Sequence, residues 1–286
     1  MTPRVFNLGS LNVDHVYRVP HFVRPGETLA AASLERLPGG KGFNQSVALA
    51  RAGTAVVHGG RVGRGAEWLR DRLAAEGADV ARLLPCGDEA GHAVIQVDGA
   101  GQNSILLFGG ANRAVRPGDL PAFLDGAGPG DFLLCQNETS AVPDALLLAR
   151  EKGLAVAFNP APMGPEVEDY PLETVDWLFV NETEANELGA SASLRSRCPQ
   201  AHLVLTLGAE GVVCVAPDGT ETRAAAPRVR AVDTTAAGDT FIGYFLAAVA
   251  GGMPLPAALE RACRAAALSV TRPGAADSVP YARELA

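Results

Sequence analysis

The chain has 286 residues, room for one large α/β domain or two smaller ones, and 48% hydrophobic residues supply a substantial core. A formal net charge of −8 argues against a nucleic-acid partner, although local amides and a few basic side chains can still hold an anion. Five scattered cysteines show no Cys-x-x-Cys or zinc spacing, and neither a signal peptide nor a membrane-length apolar run is legible, so a reduced, cytoplasmic protein with no membrane partner is expected.

Val5-Phe-Asn-Leu8 predicts a short buried strand that ends in Gly9-Ser-Leu-Asn-Val-Asp14. In open α/β sheets ligands sit beyond the carboxyl ends of strands, so Asn12 and Asp14 are placed to face a pocket. A carboxylate with an amide suits neighbouring hydroxyls; a surface Asx turn is the competing reading. From His15 to Pro38 the apolar alternation is weak and broken by Pro20, Pro25 and Gly26, which suggests short strands outside the main sheet. Gly39-Gly-Lys-Gly-Phe-Asn44 then leads into a helix from Gln45 to Ala52. It lacks Walker A spacing, yet glycines around a lysine suggest a backbone pressed against a ligand, with Lys41 and Asn44 as donors; a plain glycine turn would look the same.

Val56 to Val62 reads as a strand, and Gly65 to Gly77 as an amphipathic helix with Trp68 turned to the core. His92 to Val97 and Ser104 to Phe108 flank a turn-rich Asp98–Asn103, a hairpin signal. Ala93, Ile95, Ile105 and Leu107 alternate onto one face, fit to cover a ligand or to pack on the domain or a second subunit. Strands and helices then alternate: strands 131–135, 154–158, 177–180, 202–207 and 212–215, helices 143–152, 181–188, 241–249 and 256–270. That order predicts a doubly wound, mostly parallel sheet flanked by helices. Glu138 and Asn181 each follow a strand end on the side of Asn12 and Asp14. Asn181 and Glu184 share a helix face, as an acidic pair serving Mg²⁺ would, or as an ordinary acidic first turn.

Ala231-Val-Asp-Thr-Thr-Ala-Ala-Gly-Asp-Thr-Phe241 is small and polar and runs into an apolar helix. Asp233 and Thr234 are N-cap types, and free amides of the first turn attract anions. A carboxylate at Asp239 would repel an anion unless it serves there as a base for a hydroxyl proton. An ordinary capped helix with an acidic first turn remains the alternative.

Several of these stretches together resemble the ribokinase family of carbohydrate kinases, the PfkB group, and within it the ribokinases. They are Gly9–Asp14, Pro25-Gly-Glu-Thr28, Gly39–Asn44, Asn159-Pro-Ala-Pro162, Asn181-Glu-Thr-Glu-Ala185, Thr206-Leu-Gly208, Asp233–Phe241 and Ser269-Val-Thr-Arg-Pro-Gly-Ala275, in the family's order. The resemblance implies one kinase domain over 1–286, with a small β-sheet lid from about 13–38 and 90–109 that covers the sugar and pairs two subunits as a homodimer. It implies ATP-dependent phosphorylation of a primary hydroxyl, with D-ribose to D-ribose 5-phosphate as the expected reaction. A ketose, a nucleoside or a 2-keto-3-deoxy sugar acid is the alternative substrate, and a catalytically silent sugar-binding protein the alternative class.

Carried over by position, Asn12, Asp14, Gly40, Lys41, Asn44 and Glu138 bind the sugar. Asp239 is the catalytic base, and Ala236, Ala237 and Gly238 supply anion-hole amides. Asn181, Glu184, Thr206, Gly208 and Gly238 handle ATP and its Mg²⁺, with Cys263 near the adenine where the family often has Asn or His. Asp233, Thr235, Ser269, Arg272, Gly274 and Ser278 match a monovalent cation site for K⁺, several through backbone carbonyls. Phe43 stands where a small residue is usual, a change that bears on the shape of the sugar pocket.

Overall fold

The computed structural model describes residues 3–189 and 191–285. Its centre is β1 (Arg4–Leu8), which pairs in parallel with β4 (Ala55–Arg64) on one side and β8 (Phe132–Gln136) on the other. β5 (Asp79–Glu89) lies outside β4; β9 (Ala155–Asn159), β10 (Trp177–Asn181) and β11 (His202–Thr206) continue beyond β8, all in parallel. β12 (Val212–Val215) and β13 (Glu221–Ala224) finish that edge antiparallel, giving nine strands in the order β13-β12-β11-β10-β9-β8-β1-β4-β5. This is the expected doubly wound sheet. The chain winds outward from β1 to β5, then restarts at β8 on the other side. β1 and β8 therefore flank the point where the winding reverses, the place where such sheets open a crevice.

Two apolar layers cover the sheet, as parallel strands buried on both faces require. On one face α1 (Lys41–Arg51), α2 (Glu67–Ala75), α7 (Ala237–Ala250) and α8 (Leu255–Ser269) pack Phe43, Leu69, Phe245 and Leu259 against Val5, Phe179 and Val204. On the other, α3 (Leu120–Phe123), α4 (Val142–Glu151) and α6 (Ser191–Arg197) contribute Phe123, Leu146 and Leu194. α5 (Glu182–Glu187) follows β10 directly. α1 and α7 approach closely: a Cβ on Gly243 would sit 2.4 Å from the Ala48 Cβ. That approach lets side chains of α1 reach the start of α7.

β2 (Asn12–Arg18), β3 (Ser33–Gly39), β6 (Gly91–Val97) and β7 (Asn103–Phe108) form a separate four-stranded lid in the order β3-β2-β6-β7. The register puts Asp14, Ala93 and Leu107 in one row and Val16, Ile95 and Ile105 in the next, so the expected apolar face is the face that carries Asp14. Leu106 and Phe108 project from the other face and are exposed.

Sequence pattern failed at β5 and β13. Both are outermost strands of the sheet whose polar residues interrupt any apolar run, so neither stands out from a loop. Trp68 is 38% exposed on α2 rather than turned to the core; Leu69 and Leu73 take that place.

Candidate active site

Asp239 lies in the first turn of α7 and is buried, with its carboxylate held by α1. Asn44 donates through Nδ2 to Oδ2 at 3.0 Å, and Gln45 donates through Nε2 to Oδ1 at 2.8 Å. Both carboxylate oxygens are thus fixed in place as acceptors, as a positioned base requires. The buried Asn44 Oδ1 has no protein partner, so an acceptor is left over for a ligand hydroxyl.

The helix start differs from the expected cap. Asp233 and Thr234 do not cap it. Ala236 occupies the cap position in the left-handed region (φ 58°), and no side chain satisfies the first turn. Such a conformation costs a non-glycine residue about 1 kcal/mol or more, a strain typical of functional turns. Among the described residues the Gly238 N–H has no acceptor. Free amide and helix dipole together attract an anion beside Asp239.

A cleft of about 200 Å³ opens there, lined by Lys41, Asn159, Phe179, Asn181, Glu184, Thr206, Thr234, Ala236, Ala237, Gly238 and Asp239. Burial works against the Lys41 ammonium, but Asp239, Glu138 and Glu184 outweigh it and hold its pKa above the ordinary lysine value. Asn181 and Glu184 form a reciprocal cap on α5: Glu184 N–H donates to Asn181 Oδ1 at 2.8 Å and Asn181 N–H to Glu184 Oε2 at 3.0 Å. The pair therefore both starts the helix and faces the cleft.

Across β1, Glu138 accepts from the Ser10 hydroxyl and from the Lys41 backbone N–H, the latter at 2.8 Å. Burial raises its pKa, opposed by the Ser10 bond and by Lys41. Burial, reinforced by Glu138, pushes Asp14 up to about 7. Asn12 Oδ1 accepts from Asn112 Nδ2 at 2.7 Å, which leaves the Asn12 amide free to donate. Gly40 needs its freedom here: it turns the chain from β3 into α1 at φ 94°.

A family model described as pfkB family carbohydrate kinase matches residues 2–282. The chain belongs to the pfkB family of carbohydrate kinases. Ribokinase of Haemophilus influenzae is 36% identical to it over 97% of this chain and 95% of that protein. The crystal structure of ribokinase from Cryptococcus neoformans var. grubii serotype A in complex with ADP matches with a TM-score of 0.86 and 32% identity, covering 99% of this chain and 98% of that one. Ribokinase of Arabidopsis thaliana complexed with ribose and ATP matches with a TM-score of 0.87 and 27% identity, covering 100% and 98%.

In this pfkB kinase the cleft gathers Lys41, Asn181, Glu184, Thr206, Ala236, Ala237, Gly238 and Asp239, and Asn44 adjoins it through Asp239. Glu138 ties Gly9–Asp14 to the glycine turn through Ser10 and Lys41. Gly208 opens a tight turn just after β11. Cys263 is outside the cleft lining; it is buried with Sγ toward the Ala224 carbonyl, and burial pushes the thiol up to about 11. Phe43 turns into the core at 0% exposure instead of toward the site.

Of the cation residues, Asp233 joins two segments by accepting from Thr235 N–H and from Gly274 N–H, both at 2.9 Å. Ser269 and Ser278 donate their hydroxyls to nearby carbonyls, and Arg272 is paired with Glu284 at 2.6 Å.

Sequence reasoning missed Ser10, Gln45, Asn112, Gln136 and Asn7. The available signal was polarity in the wrong place: Asn7 and Gln136 sit inside otherwise apolar strands at 0% and 1% exposure. Buried amides there have to be answering one another.

Proposed function

We propose that the protein transfers the γ-phosphoryl group of ATP to a primary hydroxyl of a small sugar, with D-ribose to D-ribose 5-phosphate as the reaction. One observation carries this: a buried carboxylate, Asp239, is held as an acceptor by two amides at the mouth of a helix turn that no side chain caps. Such a turn suits a phosphoryl group, and such a carboxylate suits an alcohol proton; a protein that only bound sugar would need neither together.

In this reading Asn12, Asp14, Gly40, Lys41, Asn44 and Glu138 hold the sugar, with the lid above it. Asp239 takes the proton as the oxygen bonds to phosphorus. The amides of Ala236, Ala237 and Gly238 offset charge on the transferring group, and Lys41 adds a cation beside them. Asn181, Glu184, Thr206 and Gly208 hold the nucleotide, with Cys263 behind the adenine region as packing. Lid closure excludes water and so limits ATP hydrolysis.

Among the described residues no cluster of three or more His, Cys, Asp or Glu would bind a metal unaided. That fits Mg²⁺, which keeps its waters and is carried by substrate phosphates; Glu184 and Asn181 would hold its water shell, and the ion would neutralise phosphate charge. For K⁺ the fit is through backbone carbonyls of Thr235, Ser269, Arg272, Gly274 and Ser278 beside Asp233; the Ser269, Arg272 and Ser278 side chains are already engaged locally. No helix among the described residues is long and apolar enough to cross a membrane, which is compatible with a cytoplasmic site of action. The exposed apolar residues of the lid, Leu106 at 71% and Phe108 at 51%, support a homodimer through the lid; sedimentation of wild type against Leu106→Glu tests it.

The deciding experiment is a panel of ribose, deoxyribose, ketoses, nucleosides and 2-keto-3-deoxy sugar acids with ADP release as readout. Ribose should give the highest kcat/KM. A dominant nucleoside or sugar-acid signal overturns the ribose reading, and sugar binding with no ADP release overturns the kinase reading.

A further inference from the structure

The hydrogen bonds beneath Asp239 run deep into the sheet, and their direction is fixed at the far end. Asn7 donates through Nδ2 to the Gly42 carbonyl at 2.8 Å and to Ser46 Oγ at 2.8 Å. A carbonyl only accepts, so Asn7 has to turn its Oδ1 the other way, where Gln136 Nε2 donates to it at 2.9 Å. The same Nε2 donates to Gln45 Oε1 at 2.7 Å. With its oxygen engaged, Gln45 presents its own amide nitrogen to Asp239. Three amides from β1, β8 and α1 thus carry the polarity of one backbone carbonyl to the carboxylate. A side branch anchors the start: the Ser46 hydroxyl donates to His58 Nδ1 at 2.7 Å, and His58 Nε2 donates to the Gly9 carbonyl at 3.2 Å.

Asn7, Gln45, Ser46 and His58 are 0% exposed, and Gln136 is 1% exposed. So many polar groups at the centre of a sheet stabilise less than an apolar filling would, and the chain is not even complete: Gln136 Oε1 is buried without a partner. Stability alone does not account for its presence. It opens on the cleft at Asp239 and at Asn159, whose Oδ1 also accepts from Gln45 Nε2 at 3.4 Å.

We infer that Gln45 is a positioning residue for Asp239, locked with its donor forward by Gln136 and Asn7. The inference rests on the kinase reading above and adds to it the means by which the carboxylate is aimed. The charged groups bearing on Asp239 are Lys41 of α1 and Glu138 beyond β8. Burial lowers the His58 pKa to about 4, so His58 is neutral around pH 7 and leaves the branch unchanged.

Gln45→Met keeps the length and removes the donor. Its kcat should fall about 10- to 100-fold with the sugar KM within about threefold, because the base is still present but no longer aimed. Gln136→Glu never touches Asp239, yet it would draw the Gln45 amide to itself and turn the Gln45 oxygen toward the base; its kcat should fall below that of Gln136→Met. A folded Gln45→Met with wild-type kcat overturns the inference. If Gln45→Met does not fold, equal kcat for the two Gln136 variants overturns it.

A readout independent of turnover is the Gln45 side-chain amide resonance, assigned by its loss in Gln45→Met. It should move between wild type and Asp239→Asn. An unmoved resonance overturns the contact. A moved resonance in a protein that phosphorylates no sugar leaves the orientation standing and removes only the kinase reading.

Discussion

The Asp14 carboxylate lies directly over Gly39: a Cβ at that glycine would come within 2.2 Å of Asp14 Oδ2. The lid strand β2 can bring its acid down to the core only because β3 has no side chain there. Gly39→Ala should therefore displace Asp14 and raise the sugar KM about tenfold or more while changing kcat less, as loss of a binding contact does. Steady-state kinetics beside a thermal melt would separate this from unfolding.

The acidity of Asp14 gives a pH signature. Its pKa is raised from 3.8 to about 7, so the folded state holds the proton more tightly than the unfolded chain. Stability then falls as pH rises from near 4 to about 7 and levels off above. The Tm advantage of Asp14→Asn over wild type should grow across that window and stay constant beyond it. Sugar binding should show the converse in wild type: affinity rises through about pH 7 as the carboxylate gains its full acceptor capacity, and Asp14→Asn abolishes the trend. Titration calorimetry at several pH values measures it.

Asp239→Asn keeps the side-chain shape but turns one of the two oxygens that accept from Asn44 and Gln45 into a donor. Turnover should drop by about 10²–10⁴-fold, the usual contribution of a positioned base, with sugar affinity within severalfold of wild type. Near-normal turnover would remove Asp239 from that role.

Much of this was legible in the chain and some was not. The doubly wound, mostly parallel sheet followed from alternation of apolar strands and helices, because buried parallel strands such as β9 and β10 tolerate few polar residues. The lid followed from the hairpin at 92–108 and from broken alternation near Pro20 and Pro25. The helix start at Ala237 did not follow: Asp233 and Thr234 look like caps locally, but Asp233 is spent on Thr235 and Gly274, a partner 41 positions away. Gln45 was hidden for the same reason. Its significance lies in Asp239, 194 positions on, and no local pattern encodes that meeting.

Glu184 caps α5 and, in the proposed reading, also serves Mg²⁺; one substitution separates the two. Glutamine preserves the reciprocal cap with Asn181 but carries no charge. Glu184→Gln should keep the wild-type Tm within a degree or so and require a higher Mg²⁺ concentration for half-maximal rate. An unchanged Mg²⁺ dependence would reduce Glu184 to a helix cap; a Mg²⁺ titration at fixed ATP decides.

Asp14 rides on the lid, whereas Asp239 is bolted to the interior through α1. A ligand that touches both is therefore the clasp between two separately mounted parts. Compounds too short to span them would dock on one part and leave the other free, so inhibitors of this protein are better sought by reach than by resemblance to the nucleotide.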